Sequence, residues 1–220
     1  MHNSKLIKLL TTFSRKELSW FGKFLASPYF NRNEPLCAFY AAVREAAPGF
    51  EPEKTDRKKL FAVMFPRAPY DDLKLRHLAS ELHAMAERFM AHQKLAANET
   101  EMEMRRIESY RERKLDLPFA GALKQLRGDM HQRPLRDMNY YFQHFRAESE
   151  LNKFLLAKEK RTTEPNLQKL SDNLDVFYIA QKLRIYCDVL NYKNIINMEY
   201  DIRLIDELLA YLKKNPYKDI

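Results

Sequence analysis

Glycine is scarce in this chain: four residues in 220, at positions 22, 49, 121 and 128. With those spacings neither G-x-x-x-x-G-K nor G-x-G-x-x-G exists, which excludes nucleotide binding by either backbone cradle. Few glycines also disfavour an all-β fold, which needs them at its turns, and the Leu, Lys, Glu and Arg usage favours helices. There are two cysteines, Cys37 and Cys187, and no C-x-x-C pair. Both are expected to be buried thiols in a reducing cytoplasm. No run of about 18 apolar residues marks a membrane span. The start, "MHNSKLIKLLTTFSRKE", has only the interrupted "LIKLL" and no small-residue cleavage site, so it does not read as a signal peptide. H-E-x-x-H and G-x-S-x-G are both absent.

What the chain does have is charge and helical periodicity. Net charge is +8, with hydrophobic residues at 45%, enough to bury a core. Residues 1–60 hold 11 basic and 6 acidic groups and residues 121–160 hold 8 and 5, whereas 61–120 and 161–220 balance at 10 and 10 and at 9 and 9. The excess is diffuse rather than a basic tail.

Apolar spacing predicts a short helix around Leu6, Leu9 and Leu10, then one from Ser14 to about Ala26. Ser14 and Glu17 make an S-x-x-E capping box, and Pro28 disfavours helix at Ser27. A third helix is expected over 35–46 with Asn33 as its cap, and a fourth begins after Thr55 or Asp56 and carries Leu60, Phe61, Met64 and Phe65. The stripe Leu75, Leu78, Leu82, Met85 and Phe89 predicts a long helix from Asp71 or Asp72 to about 96. Residues 100–115 alternate charge and read as a solvated helix with pairs such as Glu101–Arg105. Further helices are expected over 119–131, from about Asp137 with the aromatic run Tyr140, Tyr141, Phe142 and Phe145 in the core, over 167–190, and over 196–213 after a weak break at "NYKN". The division of the chain is expected between a helical bundle, 1–117, and stacked antiparallel helices, 118–220.

Within the second part, "NLDVFYIAQKLRIYCDVLNYKNIINMEYDIRLIDELLAYLKKNP" (173–216) resembles a two-helix unit of a tetratricopeptide-like α-solenoid: helix, short turn, helix, closing proline. It runs roughly ten residues beyond the ~34-residue unit. "FSRKELSWFGKFLASPYFN", "FPRAPYDDLKLRHLASELH" and "RDMNYYF" together resemble a group of uncharacterised bacterial all-helical proteins whose members continue into more helical repeats. That resemblance implies no activity. It implies that the chain is part of a longer protein, since a solenoid needs about three repeats or a cap.

For chemistry, "HLASELH" puts His77 and Glu81 on one face with His83 turned away, so no metal site is expected. Asp71 and Asp72 read as helix-capping acids. No cofactor and no catalytic residue is assigned. The favoured function is a non-catalytic interaction or scaffold module that binds another protein or peptide in the cytoplasm. Gln181, Arg184, Asp188 and Asn191 recur at three, four and three and form one polar stripe for such a partner. Tyr29, in the corner "SPYFNRNEP", is a second contact candidate if it is exposed. Phe30 beside it is expected to plug back near Leu36 or Phe39. The alternative is a nucleic-acid-associated regulator with a helix-turn-helix-like segment near 56–90, where Lys74, Arg76, His77 and Ser80 would face a groove and Arg67 a phosphate.

Overall fold

The computed structural model describes residues 1–158, 166–195 and 200–215. Every regular element among them is a helix: α1 (Lys5–Thr11), α2 (Arg15–Ala26), α3 (Glu34–Arg44), α4 (Arg57–Met64), α5 (Asp72–Ala96), α6 (Glu99–Glu112), α7 (Asp116–His131), α8 (Met138–Ala157), α9 (Leu167–Ile195) and α10 (Ile205–Lys214). No helix among the described residues is long and apolar enough to cross a membrane. The chain divides into two compact units, Met1–Asn98 and Glu99–Ile220.

In the first unit α5 is the axis. All five predicted stripe residues of α5 are buried, joined by Ala86. They meet the apolar faces of α1, α2, α3 and α4, including Phe21, Phe39 and Leu36. Burying each such side chain contributes about 2 kcal/mol relative to leaving it in water. Rings continue through the core: Phe21 lies 4.8 Å from Tyr40 and 5.3 Å from Phe89, and Phe24 lies 5.6 Å from Phe89. Tyr40 donates its hydroxyl to the Leu18 carbonyl at 2.6 Å, tying α3 to α2.

The helix starts follow local chemistry. Ser14 and Glu17 form the capping box in both directions. Asp56, Asp71 and Asp137 each accept backbone amides of the following turn. Asn33 occupies the N-cap position of α3 but makes no capping bond, contrary to the expectation. Its side chain reaches Glu81 on α5 instead, at 2.8 Å.

The second unit begins ahead of the division expected at 117/118, because α6 is not a solvated helix. Met104 and Ile107 are fully buried with Phe119, Leu123, Leu126 and Met130 of α7. The charges of α6 are also engaged. Glu101 pairs with Arg105 at 2.9 Å, as expected, and both Glu101 and Glu108 reach Arg146 on α8. Of the aromatic run on α8, Tyr140 is buried, Tyr141 and Phe145 are half-buried, and Phe142 is partly exposed against Phe177 of α9 at 5.2 Å. The "NYKN" break does not form: α9 continues through Ile195. The expected start of the last helix, 196–199, lies outside the described residues. Residues 200–204 are not helical, and α10 begins only after Leu204, whose backbone is left-handed (φ 65°).

Candidate interaction surfaces

Tyr29 stands on a braced corner. Pro28 follows the end of α2, and the Asn31 side chain organises what comes next. Its Nδ2 donates to the carbonyls of Leu25 and Asn33 at 3.0 and 3.1 Å, and its Oδ1 accepts the Asn33 amide at 2.9 Å. That last bond is an Asx-turn, the local bond that makes asparagine a turn residue. Cys37 adds a weak thiol donation to Leu25 O at 3.2 Å. Phe30 stacks on Phe24 at 4.2 Å and meets His92 at 5.2 Å. It therefore plugs into the first unit's core, with its ring contacts on α2 and α5. Tyr29 is 87% exposed and touches Phe30 edge-on. The two cysteines are not buried thiols: Cys37 is half-buried and Cys187 is exposed.

The nucleic-acid candidates sit around the α4–α5 turn. Arg67, Lys74, Arg76, His77 and Ser80 are all exposed. Their charges are partly engaged locally: Asp72 draws Arg76 at 3.0 Å and Arg57 at 3.1 Å, and Lys74 lies over the Phe65 ring at 3.7 Å. Tyr70 also donates to Asp72, at 2.7 Å. His77 and His83 belong to no cluster of metal-ligating side chains among the described residues.

On α9 the predicted stripe splits. Gln181 is half-buried with its Oε1 enclosed and without a hydrogen-bond partner, while Arg184, Asp188 and Asn191 are exposed. A surface that the spacing did not indicate lies on another side of the same helix. There α9 and α10 leave a groove of about 360 Å³. Ile179 and Leu208, both buried, form its floor. Tyr178, Leu204 and Tyr211, exposed to 43%, 57% and 47%, stand along its sides. Among the described residues, Asp175 and Glu207 are its only charged lining residues. Residue spacing carried no signal for it, because which faces leave a gap depends on how the helices meet.

In the second unit, buried carboxylates are matched to cations. Glu148 faces Arg127 at 2.6 Å and Lys169 at 3.0 Å and accepts from Asn166 at 2.7 Å. Glu150 faces Arg111 at 2.7 Å and Lys153 at 2.6 Å. Hydrogen bonding to Glu150 holds the Arg111 guanidinium above its ordinary value. These groups hold helices together, and none opens onto the groove.

Comparison with protein-family models, with curated proteins and with solved structures returns no match.

Proposed function

We propose that this protein is a non-catalytic interaction module that docks a peptide segment of another protein in the cytoplasm, with α9 and α10 as one pair of a tetratricopeptide-like stack. The observation that carries the reading is the α9–α10 groove, where Tyr178, Leu204 and Tyr211 stay exposed over a buried floor of Ile179 and Leu208. Tyrosines flanking an apolar slot supply rigid contact area at small entropic cost, the composition typical of interface anchors. Arg184, Asp188 and Asn191 would supply polar contacts on α9, and Tyr29 is a separate contact point on the first unit.

Affinity capture from a lysate of the native organism tests this, with wild type and Tyr178→Ala/Tyr211→Ala side by side. A protein retained by the wild type and lost by the variant is expected; identical recoveries overturn the reading. A mobility-shift titration with duplex DNA addresses the competing role of Arg67, Lys74, Arg76, His77 and Ser80. Tight binding at low salt that weakens steeply with added salt would replace the present reading.

A further inference from the structure

The charge of the α9–α10 groove opposes that of the chain. The protein carries +8, yet the two charged residues that line this groove among the described residues, Asp175 and Glu207, are both acidic. Other carboxylates of the same unit are held by cations: Glu101, Glu108, Glu148 and Glu150 lie in the ion pairs described above, and Glu103 pairs with Arg106. Asp175 and Glu207 pair with no cation among the described residues.

We infer that the groove takes a cationic amphipathic helix. Its apolar residues would sit on Ile179 and Leu208 between the two tyrosines, and its Lys or Arg would meet Asp175 and Glu207. The inference rests on the docking reading above and specifies the partner's chemistry. A groove between two helices accepts a third helix through anchors at i, i+3, i+4 and i+7, and lysines flanking such anchors fall at the rim where the two carboxylates stand. Leu204 belongs to the same site. It is a left-handed, non-glycine residue with an exposed side chain, a strained conformation, and it holds that side chain at the groove's edge.

Two designed helical peptides with identical leucines at i, i+3, i+4 and i+7 provide the test, one with lysines at the flanking positions and one with glutamates. Binding is read by fluorescence anisotropy at low and moderate salt. The overall +8 charge would favour the glutamate peptide, so nonspecific attraction predicts the wrong sign. The expected result is about tenfold tighter binding of the lysine peptide, as two rim ion pairs would give. Asp175→Asn/Glu207→Gln is expected to erase that preference, and Asp175→Lys/Glu207→Lys to invert it. The neutral pair keeps the test valid should charge reversal disturb α10. Equal binding of both peptides, abolished by Tyr178→Ala/Tyr211→Ala, would overturn the charge selection and leave the docking reading standing. Failure of the lysine peptide to bind, or binding indifferent to every one of these variants, would overturn the inference. The docking reading would then be decided by the capture comparison alone.

Discussion

Arg127 Nη2 lies 2.6 Å from Glu148 Oε1 although only 1% of Glu148 reaches solvent. The contact is ionic and not an aligned hydrogen bond, since Arg127 Nη2 and Nε have no hydrogen-bond partner. Glu148 is thus a buried charge balanced by Arg127 and by Lys169. Glu148→Gln keeps the shape and the Asn166 contact but removes the charge, leaving Arg127 uncompensated. The second unit is expected to lose about 3 kcal/mol. Replacing both partners, Arg127→Met/Glu148→Met, is expected to recover most of that loss. Denaturant midpoints compare the three proteins, and a double variant no more stable than the single one would refute the assignment.

His144 gives the second unit a pH dependence. Its ring meets Tyr140 at 4.4 Å and His131 at 5.6 Å, and its Nε2 is enclosed with no hydrogen-bond partner. Burial pushes its pKa down to about 4, with His131, Lys169 and Arg127 adding to the effect and Glu148 opposing it. The unfolded chain, titrating near the ordinary 6.5, therefore binds more protons between the two values. Stability from this group is complete above about 6.5 and falls as pH drops toward 4. Glu101, held below the usual carboxylate range by its hydrogen bond to Arg146, loses its contribution only at lower pH. Between pH 7 and 5 the wild-type denaturation midpoint is expected to fall more than that of His144→Phe. Parallel profiles would show that His144 titrates normally.

The corner at Tyr29 separates contact from support. Tyr29→Ala is expected to leave stability within about 0.5 kcal/mol. Phe30→Ala removes a ring stacked on Phe24 and is expected to cost about 2 kcal/mol. Asn31→Ala removes the acceptor of the Asn33 amide and one donor each from the Leu25 and Asn33 carbonyls, and is expected to cost about 1–3 kcal/mol. Thermal melts of the three variants check the order; a Tyr29→Ala loss as large as that of Phe30→Ala would make Tyr29 a structural plug.

Lys114 ends α6 in the left-handed region (φ 57°). Its amide bonds to Arg111 O and the next amide, of Leu115, to Tyr110 O, the pair of bonds of a Schellman motif, where glycine is the favoured residue. Lys114→Gly is expected to stabilise the second unit by about 0.5–1 kcal/mol, the strain relieved less the greater freedom of the unfolded glycine. Leu204→Gly relieves the same kind of strain while removing part of the groove, so a higher melting temperature should accompany weaker binding of the lysine peptide. Destabilisation by Lys114→Gly would show that lysine is not strained there.

Features set by neighbours in the chain were legible in advance. The Ser14–Glu17 box depends on atoms within three residues, as do the Asp56 cap, which the sequence left between Thr55 and Asp56, and the helix start near Asp137. The α5 stripe is likewise a property of one helix's own spacing, and its five residues are all buried. Two of the misreadings share one cause, a partner distant in sequence. Residues 100–115 look solvated because the groups that engage Glu101 and Glu108, above all Arg146, lie roughly forty residues away. Asn33 looks like a cap until Glu81 is brought to it by α5. "NYKN" looks like a break because Asn191, Tyr192 and Asn194 are weaker helix formers, yet α9 runs through it.

By itself the sequence determined an all-helical chain, most of its helix starts and stops, and the lack of any nucleotide cradle, since these follow from residue spacing and backbone chemistry. Only the tertiary structure decided that α6 belongs to the second unit's core, that Tyr29 faces water while Phe30 is stacked inward, and that α9 and α10 leave a groove flanked by Tyr178 and Tyr211. Those outcomes depend on which faces of separate helices meet, and side chains brought together by packing leave no periodic mark along the chain.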